Sequence, residues 1–159
     1  MSSEETRASD PRLRSIAGRW RTSGRVLGEP AIPVVGTDIY EVFPGGHFLV
    51  HHVDVTVGDQ PVRAIEIIGE ADGSGYLARS FDSEGMAEVM HLTIDDDGVF
   101  HFAGGSDIAA AAQPTDVPTA RVRSTLRIAP DRQSMTALWE RSEDGISWQP
   151  WMEMRFAAE

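Results

Sequence analysis

The chain has 159 residues, enough for one domain with a substantial core. Its 25 acidic residues against 14 basic ones give a formal net charge of −11. That argues against nucleic acid and anionic membrane surfaces as partners, because both call for a basic face. With no cysteine, the chain has no disulfide, thiolate nucleophile or cysteine-based metal site.

Residues 1–10 are polar and lack apolar periodicity, which predicts a disordered tail ahead of a single domain over 11–159. They contain neither a secretory signal nor a membrane span, so a cytoplasmic location is expected. Asp10-Pro11 is a helix start, an N-cap followed by proline at the first helical position. Leu13 and Ile16 share one face of the short helix that follows, and Gly18 ends it. From there, turn signals such as Pro44-Gly45-Gly46, Gly58-Asp59, Asp72-Gly73 and Asp95-Asp96-Asp97-Gly98 punctuate β-type runs at close spacing. The runs are 19–27, 37–43, 47–57, 62–69, 76–82, 86–94, 99–103, 120–128, 135–141 and 147–156. Most connections are tight hairpins, so neighbours in sequence become neighbours in the sheet. The expected fold is all-β: a single antiparallel up-and-down barrel of about ten strands with a short N-terminal helix. Two longer connections, 28–36 and 104–118, are the candidates for a lid over the barrel mouth. The second carries the run Ala109-Ala110-Ala111-Ala112, with Ser106 or Asp107 as the cap of one helical turn.

On barrel strands the side chains alternate between the two faces. Glu41, His52, Glu66 and His91 each stand on a strand face otherwise rich in apolar residues. A lone ionisable group in an apolar cavity is costly unless paired, so such groups gather and hydrogen-bond. One reading places the four as a polar cluster that orients a ligand head group; the other has each facing solvent. Met90, Trp139 and Met152 are the expected apolar part of the site, since methionine lines adaptable cavities well. The partner this implies is a small hydrophobic or amphipathic molecule, with no cofactor and no catalytic residue assigned. Two alternatives stand beside it. One is an enzyme using Glu41, Glu66, His52 or His91 as a general acid–base. The other is a structural module that forms a homodimer. A metal site is not expected: His51 and His52 point to opposite faces, and His47 lies roughly 13 Å from His51 along the strand. The three aspartates at 95–97 lack the remaining spacing of a calcium loop and read as a hairpin turn.

Several segments together resemble a known family. They are the opening Leu13-x-x-Ile16-Ala17-Gly18-x-Trp20, then Phe43-Pro44-Gly45-Gly46-His47-Phe48-Leu49, Gly69 with Tyr76, and Ser80-Phe81-Asp82-Ser83-x-Gly85. The last is Trp139-Glu140-Arg141-Ser142-x-Asp144-Gly145-x-x-Trp148. The chain resembles the lipocalin-like, calycin-type barrels, and more narrowly a bacterial group of small single-domain proteins with no agreed activity. The resemblance implies a fold, not an activity. It further implies that Trp20 closes the barrel floor with an arginine of the last strand, Arg155, packed across it as a cation–π pair. The similar haem-binding barrels, the nitrobindins, place a proximal histidine on a late strand. This chain has no histidine after His101, so haem is not expected.

Overall fold

The computed structural model describes residues 10–104 and 121–159. Its strands are β1 (Gly18–Val26), β2 (Ile32–Val42), β3 (Leu49–Val57), β4 (Gln60–Ala71) and β5 (Tyr76–Asp82). They continue with β6 (Ala87–Ile94), β7 (Phe100–Gly104), β8 (Arg121–Ile128), β9 (Ser134–Ser142) and β10 (Gln149–Ala158). Each strand runs antiparallel to its sequence neighbours, and β1 pairs with β10, so the sheet closes into an up-and-down barrel. The ten expected strands are the ten observed, most within a few residues at each end.

Two local expectations change. The N-terminal helix is a single 3₁₀ turn, Leu13–Ile16. The Asp10 carboxylate does accept the Arg12 backbone N–H, but Ala17 already turns extended, which leaves no length for an α-helix. The second change is in the 28–36 connection, which is largely strand. Val34 pairs with Gly24 on one side and with Val57 on the other, so this segment builds the wall and is no lid. Pro33 and Gly36 mask that run in the sequence. Pro33 sits near the start of β2, where a missing N–H is best tolerated. Gly36 is required by close approach, since a Cβ there would lie 2.2 Å from the Asp54 carbonyl oxygen. Of the other lid candidate, 104–118, only Gly104 is among the described residues. The tail at 1–9 and the alanine run likewise lie outside them.

The interior has two halves. At one end Leu13 and Ile16 of the 3₁₀ turn pack with Trp20, Leu49, Ile68, Leu92, Phe100 and Met135, all essentially sealed from solvent. Trp20 donates its indole N–H to the Ile16 carbonyl at 3.0 Å, which ties the turn to β1. Gly69 forms a bulge in β4 beside this plug. Its φ of +135° and a Cβ position 2.6 Å from the His47 carbonyl oxygen leave no room for another residue. The other half of the barrel holds the cavity. No described helix is long and apolar enough to cross a membrane.

Candidate functional site

Three neighbouring strands carry the same sequence of environments. Along β3 the inward side chains are Leu49, His51, Val53, Val55 and Val57; along β4, in register with them, are Ile68, Glu66, Ala64 and Val62. Leu49 and Ile68 belong to the plug, His51 and Glu66 form a floor above it, and the aliphatic residues rise as a wall toward the Gly58-Asp59 turn. On β2, Tyr40 and Asp38 stand beside His51 and Val53. The space enclosed is about 340 Å³. Phe102, Leu126, Trp139, Met152, Met154 and Phe156 complete its apolar wall on the far strands.

The floor is a continuous hydrogen-bonded chain. Thr22 Oγ1 donates to one oxygen of Asp38. The other Asp38 oxygen lies 2.6 Å from His51 Nε2, and His51 Nδ1 lies 3.0 Å from Glu66 Oε1. The Tyr40 ring stacks on the imidazole with centroids 3.9 Å apart and planes at 11°. Burial works against a charge on His51, but the hydrogen bonds from its two nitrogens to Asp38 and Glu66 outweigh it and lift its pKa to about 9. His51 is therefore an imidazolium at neutral pH, donating to both carboxylates. Burial and the acidic Asp38 and Glu66 hold the Tyr40 hydroxyl well above its ordinary pKa, so it stays a neutral phenol. Among the described residues, every buried side-chain nitrogen and oxygen has a hydrogen-bond partner.

Of the four ionisable residues expected to cluster, only Glu66 reaches the interior. Glu41 and His52 lie on the outer face, their side chains 64% and 46% exposed and 3.9 Å apart. His91 also points outward, 2.7 Å from Asp72 and hydrogen-bonded to Ser74. Alternation explains all three: each is one position out of phase with a core residue, Tyr40, His51 and Leu92 respectively. Trp139 and Met152 line the cavity, whereas Met90 is buried beside Gly104 and is not part of the cavity wall. The Trp20–Arg155 pair does not form. Trp20 faces in, while Arg155 pairs across from Ser23 on the outward face of the β1–β10 ladder. The arginine–indole contacts are elsewhere: Arg141 lies 3.7 Å from the Trp151 ring and Arg123 lies 4.2 Å from that of Trp148. At the Asp95 turn, the carboxylate caps the backbone N–H groups of Asp97 and Val99 and meets His101 at 2.9 Å.

The residues of this candidate site that sequence reasoning missed are Asp38 and His51. A signal for His51 was present: its same-face neighbours Leu49, Val53 and Val55 are all apolar, whereas His52 shares its face with Asp54. Asp38 fell one residue inside a run read as starting at 37, so its face-mates Val34 and Gly36 were not in view.

No protein-family model matches the chain, and no curated protein sequence matches it. Solved structures do. The crystal structure of Rv2717c from M. tuberculosis superposes with a TM-score of 0.62 at 13% identity, covering 94% of this chain and 98% of that one. A de novo designed fluorescence-activating β-barrel matches with a TM-score of 0.49 at 13% identity, over 92% of this chain and 96% of the design. At this identity the first match speaks for the barrel fold alone.

Proposed function

We propose that the protein binds a small apolar or amphipathic molecule inside the barrel, with its apolar part against the valine and aromatic wall and its polar head on the Asp38–His51–Glu66 floor. The observation that carries this reading is the cavity itself. Its volume falls in the range of small-molecule sites, about 300–1,000 Å³, and it joins a mostly apolar wall to a few convergent polar groups. The 3₁₀ turn leading into Gly18-Arg19-Trp20 on the first strand supports a lipocalin-like assignment, although ten strands exceed the eight of lipocalins. The test uses a neutral environment-sensitive dye, N-phenyl-1-naphthylamine, titrated into the protein. Blue-shifted emission that is lost in a folded Ala64→Trp variant, whose indole fills the cavity, is the expected result. Absence of binding, or equal binding by the filled variant, overturns the reading.

A second reading has its own observation. Glu66 and His51 lie within hydrogen-bond reach of one another inside the cavity, as general acid–base chemistry on a bound molecule needs. It predicts that a bound small molecule is turned over and that Glu66→Gln stops the turnover while leaving dye binding intact.

A further inference from the structure

The floor has an electrostatic remainder that points to the kind of head group it takes. Two N···O contacts, His51 Nε2 to Asp38 and His51 Nδ1 to Glu66, each need one proton between their atoms. Counting those two protons alone, one imidazole and two carboxyl groups carry one net negative charge, whichever atoms hold them. Nothing in the described cavity lining balances it: the wall contains no arginine, and the chain has no lysine. The hydroxyl of Thr22 donates to Asp38 but brings no charge. A buried charge without a counter-charge is costly.

The acceptors are also unevenly used. Asp38 has one oxygen on Thr22 and the other on His51, whereas Glu66 uses only Oε1 on His51. Its second oxygen carries the unspent acceptor capacity of the floor, next to Ser80, which stands opposite Glu66 on β5 and also lines the cavity. Elsewhere the cavity lining includes the aromatic rings of Phe102, Trp139 and Phe156, a side-chain type that attracts cations in a desolvated site. The net charge of −11 biases encounter in the same direction.

We propose that the cavity takes a cationic amphiphile, an organic ammonium with an apolar body, whose charged nitrogen sits against Glu66 and supplies the positive charge the floor lacks. This rests on the cavity-binding reading above and goes beyond it by naming the ligand class.

Calorimetric titration of the whole protein at neutral pH with n-octylamine, octan-1-ol and octanoate tests it, because the three share a tail and differ in head-group charge. Octylamine is expected to bind about tenfold or more tighter than octanol, the scale of a hydrogen bond to a charged group, with octanoate the weakest. In Glu66→Gln, which keeps an acceptor for His51, the advantage of the amine over the alcohol is expected to disappear. Octanoate or octanol binding as well as octylamine in the wild type overturns the proposal, and that comparison stands even if the variant does not fold. So does an amine preference that survives intact in a folded Glu66→Gln protein. If the naphthylamine dye binds and octylamine does not, only the ligand class is wrong. If neither the dye nor any of the three binds, the cavity reading falls with it.

Discussion

The two ends of the barrel interior are built from the same ten strands and behave differently. At one end, Leu13, Ile16 and Trp20 fill the space between the strands, and the inward side chains there are sealed from solvent. At the other, no described element enters, and the valines of β2, β3 and β4 look across about 340 Å³ of space. Barrel diameter grows with strand number, and eight strands already leave an interior that side chains only just fill. Ten strands leave more room than side chains occupy unless something is inserted, and the 3₁₀ turn is inserted at one end alone. The difference teaches where each property resides. Packing stability belongs to the plugged half, the proposed binding to the open half, and the Asp38–His51–Glu66 chain marks the boundary.

Breaking that boundary has the largest expected effect. Asp38→Ala removes the acceptor of two buried donors, the His51 Nε2–H and the Thr22 hydroxyl, at a cost of about 4 kcal/mol in urea unfolding. A loss under about 1 kcal/mol would mean the chain is not a structural unit. Next, one residue type can be compared across the two halves. Met135→Ala in the plug should cost about 3 kcal/mol by opening a cavity in close-packed surroundings. Met152→Ala, on the wall of a space that already exists, should cost about 1 kcal/mol; equal losses would erase the distinction between the halves.

The pH dependence sharpens the picture of the floor. His51 titrates at about 9 in the folded protein against 6.5 unfolded, so its folded pKa is raised. Its contribution, roughly 3 kcal/mol, is complete below pH 6.5 and is lost as pH rises through 9. Unfolding curves collected from pH 6 to 10 should show this loss in the wild type and not in His51→Gln. A wild-type stability flat across that window would mean that His51 is not held as an imidazolium. Adding volume tests the same contrast from the other side. Ala78→Leu, at a position with no solvent exposure in the plug, should cost about 2 kcal/mol through overpacking. Ala64→Leu, which points into the cavity, should change stability by less than about 0.5 kcal/mol while reducing dye binding.

The fold was legible because period-two alternation and glycine-bearing turns are local signals, and an up-and-down barrel is made almost wholly of local pairings. The first half of β2 was not, because Pro33 and Gly36 read as loop residues until the pairing with β1 and β3 is known. The site was only half legible. Alternation divides each strand into two faces but does not say which face is inside, and on β3 the two faces offer His51 and His52 side by side. Choosing between them needs the partner strands: Asp38 on β2 and Glu66 on β4 meet His51 only through the register of the closed sheet. Arg155 shows the same limit. Its distance in sequence from Trp20 carried no information on facing, which the β1–β10 ladder alone decides.

That ladder has a consequence for how the molecule is made. Nine of the ten strand pairings join segments adjacent in the chain, whereas the tenth sets Trp20 against Ala158 and places Glu159 beside Arg19 and Arg21. A nascent chain emerging from the ribosome can zip its hairpins one after another, but it remains a curled open sheet until β10 is synthesised. Until then β1 presents a bare row of backbone donors and acceptors, the feature that most invites pairing with another copy. The seam is therefore the last pairing the chain can complete, and a linker joining the two ends would turn it into one more hairpin.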